Sequence, residues 1–276
     1  MPVDERLQGA IEGRYRVEQE IGHGGMATVY LAQDLRLGTP VAIKLLRREV
    51  TGLIGSGRFR REIDILRRLN HPAIVPVLDA FESPSLHYYV MPHVAGQTLR
   101  GLLATAGPLA TAEALRITGV VAGALDYAHA NGILHRDIKP ANILLQGDRV
   151  LVCDFGLARA VELAAADTAS SSGLVLGTPA YMSPEQATGG EVDERTDVYA
   201  LACVVYEMLA GEPAFSGPNA QAIVARVVAE APRPLATVRP GLPPALEAGL
   251  RRALDKSPRR RPASAGALFR TLTLET

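Results

Sequence analysis

His135-Arg136-Asp137-Ile138-Lys139-Pro140-Ala141-Asn142 sets a carboxylate, a flexible ammonium, an amide and an adjacent Arg–Asp pair within eight residues. Pro140 fixes its own φ and keeps Lys139 out of helical backbone, so the stretch is expected to form a fixed loop. Directly after it, Ile143-Leu144-Leu145 and Val150-Leu151-Val152-Cys153 flank a Gly147-Asp148 turn, the pattern of a hairpin. Such a hairpin brings Asp154-Phe155-Gly156 beside Asn142, so a second carboxylate meets the loop. Chemistry this dense calls for a reaction.

The bulk composition narrows the choice. At 276 residues the chain can bury a sizeable core, as one large domain or two lobes. Lys plus Arg and Asp plus Glu are both 29, a formal net charge of zero, which argues against a nucleic-acid binder. No apolar run approaches the roughly 18 residues that a membrane span needs. Met1 to Gly13 carries Asp4, Glu5, Arg6 and Glu12 and does not read as a secretory signal. Cys153 and Cys203 lie in apolar runs without metal-ligand spacing, as small packing residues in a reducing compartment would. Only three lysines occur, Lys44, Lys139 and Lys256, against Arg everywhere else. Since Lys is a compact point charge and Arg a planar fork, a retained Lys hints at a site that needs one.

The first part of the chain reads as successive hairpins. Tyr15 to Ile21 and Thr28 to Gln33 are expected strands joined by Gly22-His23-Gly24-Gly25-Met26-Ala27, and Val41 to Leu46 is a third. Without a crossover helix the sheet must be antiparallel. A glycine-rich turn between two strands excludes the dinucleotide reading, in which it would open a helix. Glycine allows close approach, so backbone N–H groups can cradle phosphate oxygens; a plain β-turn is the alternative. Along the third strand Ala42 and Lys44 share a face, and a buried Lys44 needs a carboxylate partner. Glu62 is the candidate, on a helix over 58–70 whose Phe59, Ile63, Leu66 and Leu69 recur at helical spacing. The glycines of 51–57 suggest a mobile entry to that helix, so a Lys44–Glu62 pair could be made and broken. Ile74 to Phe81 and Leu86 to Met91 read as two more strands.

The ordered set Gly22, Lys44, Glu62, Asp137, Lys139, Asn142 and Asp154 resembles the catalytic core of protein kinases. The resemblance implies an α+β, two-lobe kinase fold at 15–274. Its parts would be an antiparallel N-lobe with one main helix (15–91), a hinge (92–96) and a mostly helical C-lobe (97–274), after an N-terminal extension (1–14). It implies ATP and Mg²⁺, with Mn²⁺ as an alternative. Ile21, Gly22, His23, Gly24, Gly25, Met26, Ala27, Thr28 and Val29 would cover the nucleotide, departing from the common glycine pattern at Ala27. Val29, Ala42 and Leu144 would sandwich adenine, Met91 would limit the pocket's depth, and Lys44 would reach the α/β-phosphates. The hinge reads Pro92-His93-Val94 instead of the common acidic-aromatic form. Adenine would use the Pro92 carbonyl and the Val94 N–H, so the donor Pro92 lacks is not needed, and His93 reads as an exposed side chain.

Within the loop, Asp137 would orient the substrate hydroxyl and Lys139 would meet the transferring phosphoryl group. Asn142 and Asp154 would hold the metal, since Mg²⁺ takes one or two carboxylates with phosphates and waters. Lys139, two residues after Asp137, matches the Ser/Thr kinases, and Gly177 to Glu185 resembles their substrate-docking loop, with Thr178 bridging Asp137 and Lys139. With Glu185-Gln186-Ala187 the pattern looks most like the bacterial eukaryotic-like Ser/Thr kinases.

The resemblance also joins Leu66, Val77, His135 and Phe155 in a column, and pairs Arg261 with Glu185. Asp197 would cap the helix Asp197–Leu209 and hold the catalytic-loop backbone. The small-residue run 164–173 is expected to be mobile, with Thr168, Ser170 and Ser172 as autophosphorylation candidates and Arg136 as a phosphate partner. A solvated loop is its plainer reading.

Expected partners are therefore Ser/Thr-bearing proteins and a second copy of the chain, with a homodimer left open, no nucleic acid, and membrane attachment only through a segment outside this chain. The expected location is cytoplasmic, free or as the cytosolic domain of a membrane-anchored kinase. Two rivals stand beside this reading. A pseudokinase scaffold would have lost one of Lys44, Asp137, Asn142 or Asp154, and a small-molecule kinase would lack the docking segment 177–185.

Overall fold

A computed structural model describes residues 4–53, 57–155 and 179–273. Gly156, Thr168, Ser170, Ser172, Gly177 and Thr178, and part of the glycine-rich stretch 51–57, lie outside the described residues. The chain divides into two compact units. One comprises residues up to 70 together with 75–95; the other comprises 71–74 and, of the described residues, 96–155 and 179–273.

The first unit is built on an antiparallel sheet of order β1-β2-β3-β5-β4. Its strands are β1 (Tyr15–His23), β2 (Ala27–Asp34), β3 (Thr39–Leu46), β4 (Asp79–Ser83) and β5 (Leu86–Pro92). Period-2 alternation sorts β3 into two faces. Val41, Ile43 and Leu45 join Tyr30, Ala32, Tyr88 and Val90 in one apolar cluster, while Ala42 and Lys44 face the other way. Residues set aside as an extension complete that cluster. Helix α1 (Glu5–Ile11) is capped by Asp4, which accepts from the Arg6 N–H at 3.0 Å, and it buries Leu7 and Ile11 against the sheet. Arg6 Nη1 donates to the Ser85 carbonyl at 2.6 Å, tying α1 to the β4–β5 turn.

Two expectations shift here. The strand expected over 74–81 begins only at Asp79, because Pro76 has no N–H for a ladder. After the short helix α2 (Arg48–Leu53), helix α3 runs Arg58–Leu66 instead of continuing to Asn70. The Arg68 and Leu69 N–H groups donate three residues back, to the Ile65 and Leu66 carbonyls at 3.1 Å, and the turn tightens there.

In the second unit, Ala73 accepts from the Val152 N–H at 2.8 Å, which docks loop 71–74 on a small sheet, β6 (Gln97–Thr98), β7 (Ile143–Gln146) and β8 (Arg149–Val152). Gly96 is required at the sheet's edge, since a Cβ there would lie 2.0 Å from the Leu145 carbonyl oxygen. Thr98 caps α4 (Leu99–Ala106), accepting from the Gly101 N–H at 3.0 Å. Helix α5 (Thr111–Ala130) has Ala110 at its N-cap, with no side-chain bond there. The helix Glu194–Ala210 is buried at every position from Thr196 to Leu209. Its cap is Asp193, which accepts from the Arg195 N–H at 2.9 Å, so Asp197 lies one turn inside the helix and is not its cap. The apolar run starts at Val198 and hid that polar first turn. Helices α5, Leu235–Val238, Pro244–Ala253 and Ala265–Thr273 pack on the helix Glu194–Ala210, and the short helix Pro184–Thr188 packs on Ala220–Ala229. Cys153 and Cys203 are buried and not in a disulfide.

Candidate active site

The first unit gathers the nucleotide candidates on one sheet face. Val29 lies opposite Lys44, and Ala42 lies opposite both Leu31 and Met91. Cross-strand partners share a face, so Val29, Ala42, Lys44 and Met91 stand together on the side away from α1. Helix α3 packs on the same side, its Phe59 edge-on to His87 of β5 with ring centroids 4.9 Å apart. Phe59, Glu62, Ile63 and Leu66 form the buried stripe of α3, and Glu62 is its one carboxylate.

The glycine turn is closed by a bond from the Gly24 N–H to the Ala27 carbonyl at 2.9 Å. Neither the backbone nor the packing asks for glycine here. Gly22, Gly24 and Gly25 all lack a positive φ, and a Cβ on Gly25 would meet nothing within 4 Å. Ile21 falls where the β1–β2 register slips between Glu20 and Gly22, and the bulge leaves its side chain 43% exposed. His23, Met26 and Thr28 belong to the same hairpin; His23 Nδ1 is 3.4 Å from Thr28 Oγ1, and the Met26 carbonyl accepts from the Arg47 N–H at 2.9 Å. Pro92 ends β5, and the His93 N–H just before Val94 donates to the Pro40 carbonyl at 3.3 Å.

The second unit assembles the loop chemistry. Asp137 Oδ2 accepts from Lys139 Nζ at 2.6 Å and from Asn142 Nδ2 at 3.2 Å; Asn142 Nδ2 also donates to the Asp137 carbonyl at 2.8 Å. Those bonds fix the Asn142 amide and leave its Oδ1 as the atom for a cation, while Asp137 Oδ1 receives no bond from the described residues. The Cys153 N–H donates to the Asn142 carbonyl at 3.0 Å, so Asp154, the next residue, begins beside Asn142. Asp154 and Arg136 both hold φ of +67°, left-handed backbone that costs a non-glycine residue about 1 kcal/mol. Leu144 is half-buried on β7, opposite Leu151 and Thr98.

Buried partners keep the loop in place. Asp197, fully buried, accepts from the His135 N–H at 2.8 Å and the Arg136 N–H at 2.7 Å. Burial pushes its carboxyl up, but the hydrogen bond from His129 Nε2 at 2.7 Å and the backbone donors outweigh that and hold it below the usual carboxylate range. His135 donates from Nε2 to the Cys153 carbonyl at 2.9 Å, and its Nδ1 accepts from the Asp137 N–H at 3.2 Å. Desolvation holds its pKa below the ordinary imidazole value, so it is neutral with the proton on Nε2. The His135 ring meets Phe155 at 4.5 Å; Leu66 and Val77, the other residues of the expected column, belong to the first unit.

Glu185 and Arg261 form the expected bidentate pair at 2.7 and 2.8 Å. Thr196 Oγ1 adds a bond to Glu185 at 2.8 Å, and Gln186 Nε2 donates to the Arg136 carbonyl at 2.9 Å. Two of these partners have no structural role assigned from sequence: His129 is not singled out there, and Gln186 enters only as part of the Glu185-Gln186-Ala187 pattern. They lie far along the chain from the groups they hold and carry no local signal.

The protein kinase domain family matches residues 15–269, and the chain belongs to that family. It is 43% identical over 260 residues to the serine/threonine-protein kinase PknB of Mycobacterium tuberculosis, an overlap covering 91% of this chain and 41% of that protein. It is 44% identical over 257 residues to PknB of Mycolicibacterium smegmatis (90% and 40%), and 42% identical over 252 residues to a probable serine/threonine-protein kinase of Streptomyces coelicolor (89% and 37%). The chain thus spans about two fifths of the length of these relatives. The family's reaction uses ATP and a divalent metal ion. Among the described residues, no helix is long and apolar enough to cross a membrane.

Proposed function

We propose that this chain is a Ser/Thr protein kinase, transferring the ATP γ-phosphoryl group to Ser or Thr hydroxyls of proteins. The observation that carries the proposal is the Asp137–Lys139–Asn142 cluster beside Asp154, with Asp137 Oδ1 left for a substrate hydroxyl. In the proposed step the hydroxyl oxygen bonds to the γ-phosphorus, the bond to the β–γ bridging oxygen breaks, and ADP leaves. The hydroxyl proton passes to Asp137 Oδ1. Lys139 Nζ, already at Asp137 Oδ2, meets charge on the transferring group. Thr178 is assigned the bridge between Asp137 and Lys139.

Asn142 Oδ1 and the Asp154 carboxylate suit Mg²⁺, which takes few protein oxygens, or Mn²⁺ in its place. When bound, the ion neutralises phosphate charge. In the first unit, a glycine turn whose glycines the chain itself does not require suits phosphates passing close to backbone N–H groups. Residues 21–29 are assigned to the nucleotide; Val29, Ala42 and Leu144 to the adenine faces; Met91, Pro92 and Val94 to its edge; and Lys44, supported by Glu62, to the α/β-phosphates. Transfer to the chain's own Thr168, Ser170 or Ser172 belongs to the same proposal. Asp137→Asn is expected to lower transfer by roughly 10²–10⁴-fold while nucleotide affinity, read by calorimetry, stays unchanged. Wild-type turnover in that variant would refute the role of Asp137.

A further inference from the structure

Tyr206 is 3% exposed on the buried helix Glu194–Ala210, yet its hydroxyl has no hydrogen-bond partner among the described residues. Buried polar groups normally find one, so an orphan O–H raises the question of what it faces. Tyr206 lines a cavity of about 170 Å³ in the second unit, walled by Leu235, Leu250 and Leu254, all buried. An apolar cavity of roughly 150 Å³ holds benzene, so this one has room for a single ring or a branched alkyl group.

Charged side chains stand at its rim. Arg233 Nη1 donates to Glu212 Oε1 at 2.9 Å and is matched by that carboxylate. Glu247 Oε2 accepts from the Ala236 N–H at 3.1 Å and so holds the first turn of the helix Leu235–Val238. Arg251, one turn beyond Glu247 on the helix Pro244–Ala253, is exposed and has no hydrogen bond or ion pair among the described residues. Tyr206 and Arg251 are therefore the cavity's two unpartnered groups, and both are donors. The phenol keeps its proton because desolvation and the Glu212 and Glu247 charges raise its pKa against the opposing pull of Arg233. The guanidinium has no acceptor to offer.

We propose that this cavity is a binding site for a small apolar monocarboxylate, whose ring or branched alkyl group lies among Leu235, Leu250 and Leu254 and whose oxygens take the donors of Arg251 and Tyr206. Arg251, exposed and unrestrained, has the reach to close over the mouth. One unpartnered cation matches one negative charge, and Glu247 at the same rim opposes a dianion such as phosphate. No residue of the site is assigned to phosphoryl transfer, so its failure would leave the kinase reading untouched.

The test titrates the full chain with sodium 3-phenylpropionate by calorimetry and reads the melting temperature in parallel. One site per chain is expected, with a Kd from roughly 30 μM to 1 mM and a melting temperature that climbs with ligand concentration. The neutral analogue 3-phenylpropanol should bind about tenfold more weakly or worse. Arg251→Ala is expected to weaken phenylpropionate roughly fivefold to twentyfold while leaving the alcohol unchanged, and Tyr206→Phe to weaken it roughly threefold to tenfold. Arg252→Ala, whose side chain meets the Arg260 carbonyl instead, should bind as the wild type does.

No saturable binding up to about 10 mM, equal affinity for acid and alcohol, or undiminished binding by Arg251→Ala would overturn the proposal. So would tighter binding of an acetylated tripeptide ending in phenylalanine, because the cavity would then be a seat for a protein C-terminus. Should Tyr206→Phe fail to fold, the wild-type and Arg251→Ala titrations carry the test, since the exposed Arg251 supports no packing.

Discussion

The proton state of His135 governs how well the loop holds together. Its Nε2–H and its Nδ1 lone pair are both committed, to the Cys153 carbonyl and the Asp137 N–H, so a second proton would break the bond to Asp137. Because burial holds its folded pKa below the ordinary 6.5, the unfolded chain takes up a proton that the folded chain refuses. Its contribution is then present above pH 6.5 and lost as pH falls below that value toward the folded pKa. Asp197, also lowered in the fold, adds a loss of the same sign further down, below 3.8. Melting temperatures between pH 7.5 and 5.5 are expected to fall, and His135→Phe should flatten that slope; an unchanged slope would contradict this. The residues of the loop itself were legible because their types and spacing carry the chemistry. The left-handed backbone at Arg136 and Asp154 was not, since nothing in either residue announces a φ of +67°.

One element does most of the anchoring in the second unit. The helix Glu194–Ala210 sends Asp197 to the loop, Thr196 to Glu185 and Glu207 to Tyr181 and Arg100. Its burial was plain from an apolar sequence on all sides, but its first turn and its true cap, Asp193, were hidden by polar residues. The Glu185–Arg261 pair fastens the helix Pro184–Thr188 to the segment before Ala265–Thr273, and Arg261 reaches the long helix by donating to the Arg195 carbonyl, with a further bond to the Lys256 carbonyl. Arg261→Ala would strand a buried carboxylate and is expected to cost about 3–5 kcal/mol in denaturant unfolding. A cost below 1 kcal/mol would mean that the pair is incidental. Helix α1 went unread because seven residues with few apolar positions give periodicity little to work on. Leu7, fully buried in the sheet's cluster, reveals its purpose: Leu7→Ala is expected to cost roughly 2–5 kcal/mol, measurable by the same unfolding experiment.

At the scale of the whole molecule, the order of the motifs along the chain was more informative than any one of them. Glycine turn, lysine, carboxylate helix, loop and Asp-Phe-Gly each occur by chance in many folds, but their sequence and the strands around them fit one family. The contacts among distant residues stayed out of reach of sequence, as His129, Gln186 and Arg100 illustrate, because they depend on how helices pack. Lys256 illustrates the same limit. Its rarity marked it, but only packing shows that it donates to the Val227 carbonyl at 2.6 Å beneath Phe215, with desolvation pushing its pKa down to about 8. The central claim is the reaction and its acceptor. Incubation of the chain with ATP, Mg²⁺ and matched peptides bearing Ser, Thr or Tyr, read by mass spectrometry, tests it directly. The account predicts phosphate on Ser and Thr, none on Tyr, and none once the metal is chelated; transfer to Tyr at a comparable rate, or to no acceptor at all, would contradict it.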